Sequence, residues 1–127
     1  MKIIHEQEAE EIQLPGRAMK WLVSSNALPA ENMSVCVIRV PAGETVHPAH
    51  AHPNCEEFIY IMQGQGRIMV DEEVADVQAG ISVLFPAESI HMLQNNGSEE
   101  MKVICFFAPS VDLSTYRYFE GISFPKA

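Results

Sequence analysis

Three histidines and one glutamate near the middle of the chain have the residue types and spacing of a metal site. They are His50, His52, Glu57 and His91. Imidazole nitrogens and a carboxylate oxygen are donors that suit divalent transition metals. His50 and His52 are two residues apart, so on an extended strand both imidazoles lie on one face, about 7 Å apart along the chain. The sequence therefore predicts a metal site built on β-strands.

The elements that would position these side chains are short strands entered through turns. The turn signal Pro53-Asn54 precedes Glu57 and the apolar run of residues 58–62. A second turn signal, residues 86–89, precedes His91. Turn residues followed by short apolar runs are typical of buried strands. We therefore expect two such strands to carry most of the site.

In these two segments the chain resembles the cupin superfamily. The first motif of that family is a glycine, a short gap, His-x-His, three or four residues, a glutamate, six residues and a glycine. The matching residues here are Gly43, His50, His52, Glu57 and Gly64. The second motif is a glycine, five residues, Pro-x-Gly, two residues, a histidine, three residues and an asparagine. The matching residues here are Gly80, Pro86, His91 and Asn95.

The chain departs from the family pattern at two places. The gap between Gly43 and His50 is one residue longer than usual, which a turn can absorb without moving the ligands. Glu88 stands where the family has a glycine. Because a glutamate adopts positive φ only at a cost, we expect the turn at Pro86 to be of a type that does not need φ > 0.

The resemblance covers residues 35–108 and implies an all-β fold, a single cupin double-stranded β-helix or jelly-roll barrel. It implies that His50, His52, Glu57 and His91 bind a divalent transition metal, which could be Fe, Mn, Ni, Cu, Co or Zn. We expect one domain over residues 1–127, with the terminal segments 1–34 and 109–127 packed on the barrel or on a dimer partner. The resemblance and the aromatic C-terminal tail together predict a homodimer.

The distribution of strand and turn signals along the chain agrees with an all-β reading. Residues 10–23 contain a Pro15-Gly16 turn between two short strands, residues 33–40 form a further strand, and residues 102–108 form the last core strand. Closely spaced turns between short strands are typical of a sandwich or barrel. No window of a dozen residues has helical periodicity without a proline or glycine inside it.

Composition restricts the partners. The formal net charge is −9, from 17 acidic and 8 basic residues, so we expect neither a nucleic acid nor a membrane partner. The longest apolar runs are far shorter than the roughly 18 residues that a membrane helix needs. Acidic residues follow Met1 closely, which argues against a secretion signal. Cys36, Cys55 and Cys105 form no CxxC pair, and the sequence predicts a cytoplasmic protein.

Alternation along the two site strands predicts the pocket wall. From Glu57 and from His91 it places on the ligand face Ile59, Ile61, Gln63, Leu93 and Asn95. This wall is largely apolar, which favours a small organic ligand held by few polar groups. Cys55 lies in the ligand loop and could be an inert thiol, an oxidisable thiol or a metal ligand.

Four further polar residues are weak candidates for catalytic roles, namely His47, Tyr60, Gln63 and Arg67. His47 could be a base or a spare ligand, or only an exposed loop histidine. Tyr60 has the opposite parity to Glu57, so it either packs on the outer layer or places a phenol near the substrate. Arg67 could anchor a substrate or lie at a strand edge.

Four protein ligands on a metal that prefers five or six leave one or two positions for water or substrate. The leading hypothesis is therefore a metal-dependent enzyme acting on a small molecule. Within it, a dioxygenase is favoured over a lyase or isomerase, because three-His-one-Glu sites in the superfamily often serve oxygen chemistry. The second hypothesis is a binding or sensing module without turnover. A metal-independent structural barrel is the third, and the intact ligand set argues against it.

Overall fold

The computed structural model describes residues 1–126, which contain eleven β-strands and two short 3₁₀ turns. The strands are β1 (Glu11–Leu14), β2 (Arg17–Val23), β3 (Ser34–Val40), β4 (Ala49–Ala51), β5 (Glu56–Gln63), β6 (Gln65–Val70), β7 (Glu73–Gln78), β8 (Ser82–Phe85), β9 (His91–Gln94), β10 (Met101–Ala108) and β11 (Arg117–Phe119). The 3₁₀ turns are Glu6–Glu8 and Leu113–Thr115. Within residues 1–126, no helix has the length and apolar character needed to cross a membrane.

The strands form two antiparallel sheets that enclose one main core. The six-stranded sheet has the order β1-β2-β3-β10-β5-β8, and the five-stranded sheet has the order β11-β4-β9-β6-β7. Side chains from both sheets meet in the core, with Ile38 and Val103 from the first sheet and Ile68 and Leu93 from the second. The predicted all-β jelly roll is confirmed.

Strand alternation explains which side chains fill the core. Along β5, Glu57, Ile59 and Ile61 are buried, whereas Phe58 and Tyr60 between them are exposed on the outer face. The same alternation buries every second residue of β10. Successive strand residues point to opposite faces, so one strand supplies both core packing and a ligand to the interior. Full burial of each such apolar side chain contributes about 1.5–3 kcal/mol.

The turn between β1 and β2 is tied to the segment that leads into β4. Gly16 in this turn has φ +78°, and a Cβ atom added there would lie 1.8 Å from the carbonyl oxygen of Thr45. Only glycine fits such an approach. The predicted Pro15-Gly16 turn is therefore also a packing contact, and it fixes where β2 begins, at Arg17.

The turn before β9 corrects one prediction. Glu88 has φ +67°, so the expectation that this turn avoids positive φ is wrong. The amide of Ser89 donates to the carbonyl of Pro86 at 3.1 Å, and the amide of Glu88 donates to the carbonyl of His52 at 3.2 Å. These hydrogen bonds hold the glycine-like backbone although a side chain is present, at a local cost of about 1–2 kcal/mol.

Both terminal segments contact the sandwich within this chain. β1 and β2 extend the six-stranded sheet, with Met19 opposite Ile38. At the other end, β11 pairs with β4, which places Tyr118 opposite His50. The guanidinium of Arg67 lies 5.0 Å from the centre of the Phe124 ring and helps to hold the tail against the five-stranded sheet.

Candidate metal centre

The structure brings the four predicted ligands together in the interior. One donor atom from each of His50, His52, Glu57 and His91 lies within 4.8 Å of the others. All four residues are buried, and the most exposed, His50, retains only 7% of its accessible surface. Three imidazoles and a carboxylate in so small an enclosed space form the one group of this kind found in residues 1–126.

Both sheets contribute to the cluster. In the five-stranded sheet, His50 on β4 is the direct cross-strand partner of His91 on β9, and their ring centroids are 4.5 Å apart. His52 follows the end of β4, and its ring centroid lies 5.0 Å from that of His91. Glu57 enters from β5 of the six-stranded sheet, where it pairs with Phe85 of β8. The cluster therefore depends on how the two sheets face each other.

Backbone carbonyls orient two of the imidazoles. Nδ1 of His91 donates to the carbonyl of Ser89 at 3.1 Å, and Nδ1 of His50 lies 3.4 Å from the carbonyl of Pro48. A carbonyl can only accept, so in the neutral ring the proton is on Nδ1 and Nε2 keeps a lone pair. This arrangement is typical of metal-binding histidines.

The Nε2 atom of His91 provides the test of whether the residues fit a metal ion. It is buried, has no hydrogen-bond partner, and lies 3.1 Å from Oε1 of Glu57. A lone pair that faces a carboxylate oxygen in a buried place is unfavourable unless a cation lies between the two. Metal–ligand distances of about 2.0–2.2 Å place donors within roughly 4.4 Å of one another. The 4.8 Å cluster needs only a small contraction to reach this spacing, so the residues fit a divalent ion.

The surroundings set the protonation states that a metal requires. Burial lowers the pKa of His50 to about 3, and the neighbouring His91 adds to this shift, so His50 is neutral at pH 7. Burial on its own raises the pKa of Glu57, but the hydrogen bond from His52 acts in the opposite direction. The pKa of Glu57 therefore lies below its usual range, and the group is a carboxylate.

A small cavity of about 40 Å³ adjoins the cluster. Its wall is mainly apolar and includes Ile59, Phe85, Leu93 and Phe107 beside the ligands. Phe85 stacks on His91, with ring centroids 4.2 Å apart and planes at 16°. Such a volume holds about three water molecules.

Among the lining residues that the sequence analysis did not select are two with polar groups, Arg17 and Tyr116. Tyr116 stacks on His50 with ring centroids 5.2 Å apart and meets His52 edge-on at 4.4 Å. The aromatic residues of the C-terminal tail predicted that the tail packs on the protein, but they did not indicate a contact with the proposed ligands. Arg17 has the same inward parity as Met19 on β2, a signal that alternation along that strand does contain.

The remaining predicted wall residues divide into two groups. Ile59 and Leu93 line the cavity, as alternation from the ligands suggests. Ile61 and Asn95 are buried but lie outside the lining, and Gln63 is exposed. The amide of Asn95 donates to the carbonyls of Val40 and Glu99, so this side chain holds the loop after β9.

The four weak catalytic candidates lie outside the cavity lining. His47 is exposed, Tyr60 keeps 42% of its surface on the outer face, and the amide of Gln63 donates to the carbonyl of Glu100. Arg67 donates to the side chain of Gln94 at 3.0 Å and to the carbonyl of Pro125 at 3.1 Å. These contacts are structural ones.

Cys55 is buried outside the ligand cluster. Its thiol donates to the carbonyls of Pro109 at 3.1 Å and Glu56 at 3.2 Å, and burial raises the pKa of the thiol. A protonated, hydrogen-bonded thiol is a poor nucleophile and a poor metal ligand. Of the alternatives for this residue, the structure favours the inert thiol.

A two-sheet β-sandwich with a buried cluster of three histidines and one glutamate defines a class of small β-proteins whose interior could hold a metal ion. The cupin domain model matches residues 36–107, more than half of the chain. The chain belongs to the cupin family. The matched range contains all four cluster residues.

Two relatives extend the similarity along the sequence. The uncharacterized protein MJ1618 of Methanocaldococcus jannaschii is 28% identical over 94 residues, which are 74% of this chain and 74% of that protein. A Streptomyces cyaneus protein named polyketide synthase CurC is 24% identical over 110 residues, which are 85% of this chain and 70% of that protein. Both alignments cover most of this chain and most of the relative.

Two solved structures share the fold. Pac13 of Streptomyces, described as a nucleoside dehydratase, superposes with a TM-score of 0.76 over 94% of this chain and 91% of its own, at 18% identity. A Thermotoga maritima protein described as a predicted oxalate decarboxylase superposes with a TM-score of 0.75 over 84% of this chain and 98% of its own, also at 18% identity. At this identity the likeness establishes the fold.

Proposed function

We propose that the protein is a metal-dependent enzyme that acts on a small organic molecule. The observation that carries this proposal is that the four donor atoms lie within 4.8 Å of one another and that three of the four residues, His50, Glu57 and His91, line an internal cavity. Buried donors of this kind are costly to keep unless they bind something. Their place beside a cavity, and not in a closed core, supports catalysis over a structural role.

The side chains would act together as follows. His50, His52, Glu57 and His91 hold the ion, and the carbonyls of Pro48 and Ser89 fix the two imidazoles that they contact. A bound divalent metal would polarise a substrate oxygen, acidify a bound water or, if redox-active, support oxygen chemistry. The apolar wall excludes bulk water and so strengthens every electrostatic interaction inside the cavity.

The reaction type has two candidates. A dioxygenase is the first, because the donor set of three histidines and a glutamate suits a redox-active metal. A lyase-type or isomerase-type reaction is the second. It is favoured by the descriptions of similar proteins, which include a nucleoside dehydratase, a polyketide cyclase and an oxalate decarboxylase. The fold alone cannot choose between them.

Metal analysis followed by oxygen uptake distinguishes these candidates. Purified protein should contain or take up close to one transition-metal ion per chain. The loaded protein is then mixed with small thiols, diketones and carboxylic acids in an oxygen electrode, and with the same compounds under argon. Oxygen consumption supports the dioxygenase, whereas product formation under argon supports the second candidate. Tight binding without turnover under both conditions would favour a sensing module.

We also propose a homodimer, formed through the outer face of the six-stranded sheet. Exposed apolar side chains of β5, β8 and β10 lie side by side there, and we call this set the outer apolar face: Phe58, Tyr60, Met62, Leu84 and Phe106. The rings of Phe58 and Phe106 are 5.9 Å apart. A contiguous exposed patch of this kind is typical of an interaction site. Light scattering should give twice the chain mass of 14.1 kDa.

A cytoplasmic location is proposed for the same protein. Cys36, Cys55 and Cys105 are all buried and free, which is consistent with a reducing compartment. Cell fractionation with antibodies against the protein tests this point directly. Recovery of the native protein from a membrane or extracellular fraction would contradict it.

A further inference from the structure

Arg17 is a buried cation at the same cavity as the cluster of three histidines and one glutamate. It is the first residue of β2 and retains 5% of its accessible surface. It lines the cavity together with Tyr116 and three of the cluster residues, His50, Glu57 and His91. The packing of Gly16 against Thr45 fixes the start of β2, and with it the place of this side chain.

The charge of Arg17 has no acidic partner. Its Nη1 atom donates to the carbonyl of Pro15 at 3.2 Å. Among the residues that the structure describes, no carboxylate lies within ion-pair distance of its nitrogens, whereas Arg39 pairs with Glu11. A guanidinium has five N–H donors. In Arg17, none of them pairs with a carboxylate of the residues that the structure describes. Burial of a charge without a counter-charge is unfavourable, and it lowers the pKa of Arg17.

The charges around the cavity indicate what would balance this cation. The carboxylate of Glu57 is hydrogen-bonded to His52 at 2.9 Å, which directs it at the histidine cluster. No lysine and no second arginine line the cavity. The lining therefore offers a single guanidinium, and its planar fork matches one carboxylate group. The volume of about 40 Å³ limits the molecule to a small one.

We propose that Arg17 is a substrate-binding residue that pairs with the carboxylate of a small organic monoacid, and so holds the rest of that molecule toward the metal cluster. This inference rests on the proposed function and specifies its substrate class. Arg17 and three of the four cluster residues line one cavity, so a molecule of a few heavy atoms can contact both. The stability cost of the unpaired charge is then offset when substrate binds.

Binding of matched acids and amides tests the proposal without any reaction. Acetate and pyruvate are titrated into protein treated with EDTA, and acetamide and pyruvamide serve as neutral probes of the same shape. Isothermal calorimetry or protein NMR should give at least about tenfold tighter binding for the acids, as expected for a charge-assisted bidentate pair. Equal binding of acids and amides would overturn the proposal. Tighter binding of inorganic phosphate than of acetate would overturn the monocarboxylate assignment.

Variants of Arg17 then test whether this residue binds the acid. Arg17→Gln should weaken acid binding roughly 10- to 100-fold, and Arg17→Lys, which keeps the charge but loses the fork, should weaken it less. The matched control is Arg39→Gln, which removes an arginine from the neighbouring strand β3 outside the cavity and should leave acid binding unchanged. Acid binding that survives Arg17→Gln would contradict the assignment.

The failure of this inference can be distinguished from the failure of the proposed function. Metal content is measured in the wild type and in Arg17→Gln, and both should load equally because Arg17 is not a ligand. If the wild type binds no metal, the proposed function fails, while the comparison of acids and amides on EDTA-treated protein still decides the role of Arg17. If Arg17→Gln does not fold, that same wild-type comparison, with the Arg17→Lys variant, gives the answer.

Discussion

At the residue scale, the proposed metal site depends on an imidazole whose Nε2 atom is buried without a hydrogen-bond partner. That imidazole belongs to His91, and its other nitrogen is fixed by the carbonyl of Ser89. Removal of the ring takes away one of four donors and leaves the carboxylate of Glu57 without one of its neighbours. The β core around it is unchanged in composition.

We predict that His91→Ala lowers metal affinity by more than about 100-fold while the protein remains folded, because loss of a direct ligand costs more than the 10–100-fold typical of residues that only orient a ligand. Elemental analysis after equilibration against a chelator measures this, with circular dichroism as the check on folding. His47→Ala is the matched control, since this exposed histidine is not in the cluster, and it should load as the wild type does. Full loading of His91→Ala would contradict its assignment as a ligand.

The depressed pKa of His50 predicts how stability depends on pH in EDTA-treated protein. The pKa is about 3 in the folded state against 6.5 for the ordinary side chain, so the unfolded chain binds a proton more readily. The contribution of His50 to the free energy of unfolding is therefore fully present above pH 6.5 and is lost as the pH falls toward 3. Between pH 6.5 and 4.5 this amounts to about 2 kcal/mol. Glu57, with its lowered pKa, adds a loss at still lower pH.

Urea denaturation of the EDTA-treated protein at pH 7.5, 6.5, 5.5 and 4.5 measures this dependence. His50→Gln should give a flatter profile over the same interval, because the residue that titrates is gone. If the free energy of unfolding changed equally with pH in both proteins, unfolding would involve no net proton uptake by His50. A flat wild-type profile would contradict the buried, neutral state of His50.

At the element scale, the β1–β2 turn can be tested with two glycines that share a backbone conformation. Gly16 and Gly43 have φ of +78° and +81°, but only Gly16 faces a backbone oxygen at 1.8 Å from an added Cβ. Both alanine variants lose the freedom of glycine at positive φ, at about 1–2 kcal/mol. Gly16→Ala must also displace the segment at Thr45, which adds about 1–3 kcal/mol.

We therefore expect Gly16→Ala to be clearly less stable than Gly43→Ala in thermal or urea denaturation. Because the same turn places Arg17, Gly16→Ala should also weaken the binding of small acids. Equal stability of the two variants would show that the contact between this turn and Thr45 does not form in solution.

Much of the architecture could be predicted from local patterns. The Pro15-Gly16 turn, the strand pattern around Glu57 and the four clustered side chains follow from turn residues, period-two alternation and motif spacing. Each of these signals depends on residues that are close together in the sequence, and the turn or strand that it predicts forms from the same residues. The same reasoning placed Gln63 on the ligand face, where alternation from Glu57 puts it, although the end of β5 lies beyond the cavity.

Other features could not be predicted because they depend on contacts between distant segments. Arg17 reaches the cavity through the register between β2 and β3, and Tyr116 reaches His50 through a tail that returns across the sandwich. Glu88 adopts positive φ because hydrogen bonds to Pro86 and His52 hold the turn, which its own residue type does not indicate.

At the scale of the whole molecule, the outer apolar face predicts the oligomeric state. Leu84 is its most exposed member, at 57%, and lies on the edge strand β8 opposite Phe58. A charge placed there would be buried without a partner in a dimer, so Leu84→Glu should weaken self-association at least about tenfold. Its side chain points away from the core, and metal binding should be retained.

Analytical ultracentrifugation across a dilution series measures this effect. Val74→Glu is the control, because Val74 is exposed to 37% on β7 of the other sheet. That variant should associate as the wild type does. Equal dissociation of both variants, or a monomeric wild type at all concentrations, would contradict a dimer formed through this face.

In the proposed metal site, His50, His52, Glu57 and His91 jointly hold one metal ion. The most direct measurement is anomalous diffraction from crystals of the metal-loaded protein, collected on both sides of the absorption edge of that metal. We expect a single strong anomalous peak at about 2.0–2.3 Å from one donor atom of each of the four side chains. A peak elsewhere in the molecule, or none between these side chains in protein offered Mn, Fe, Co, Ni, Cu and Zn in turn, would contradict it.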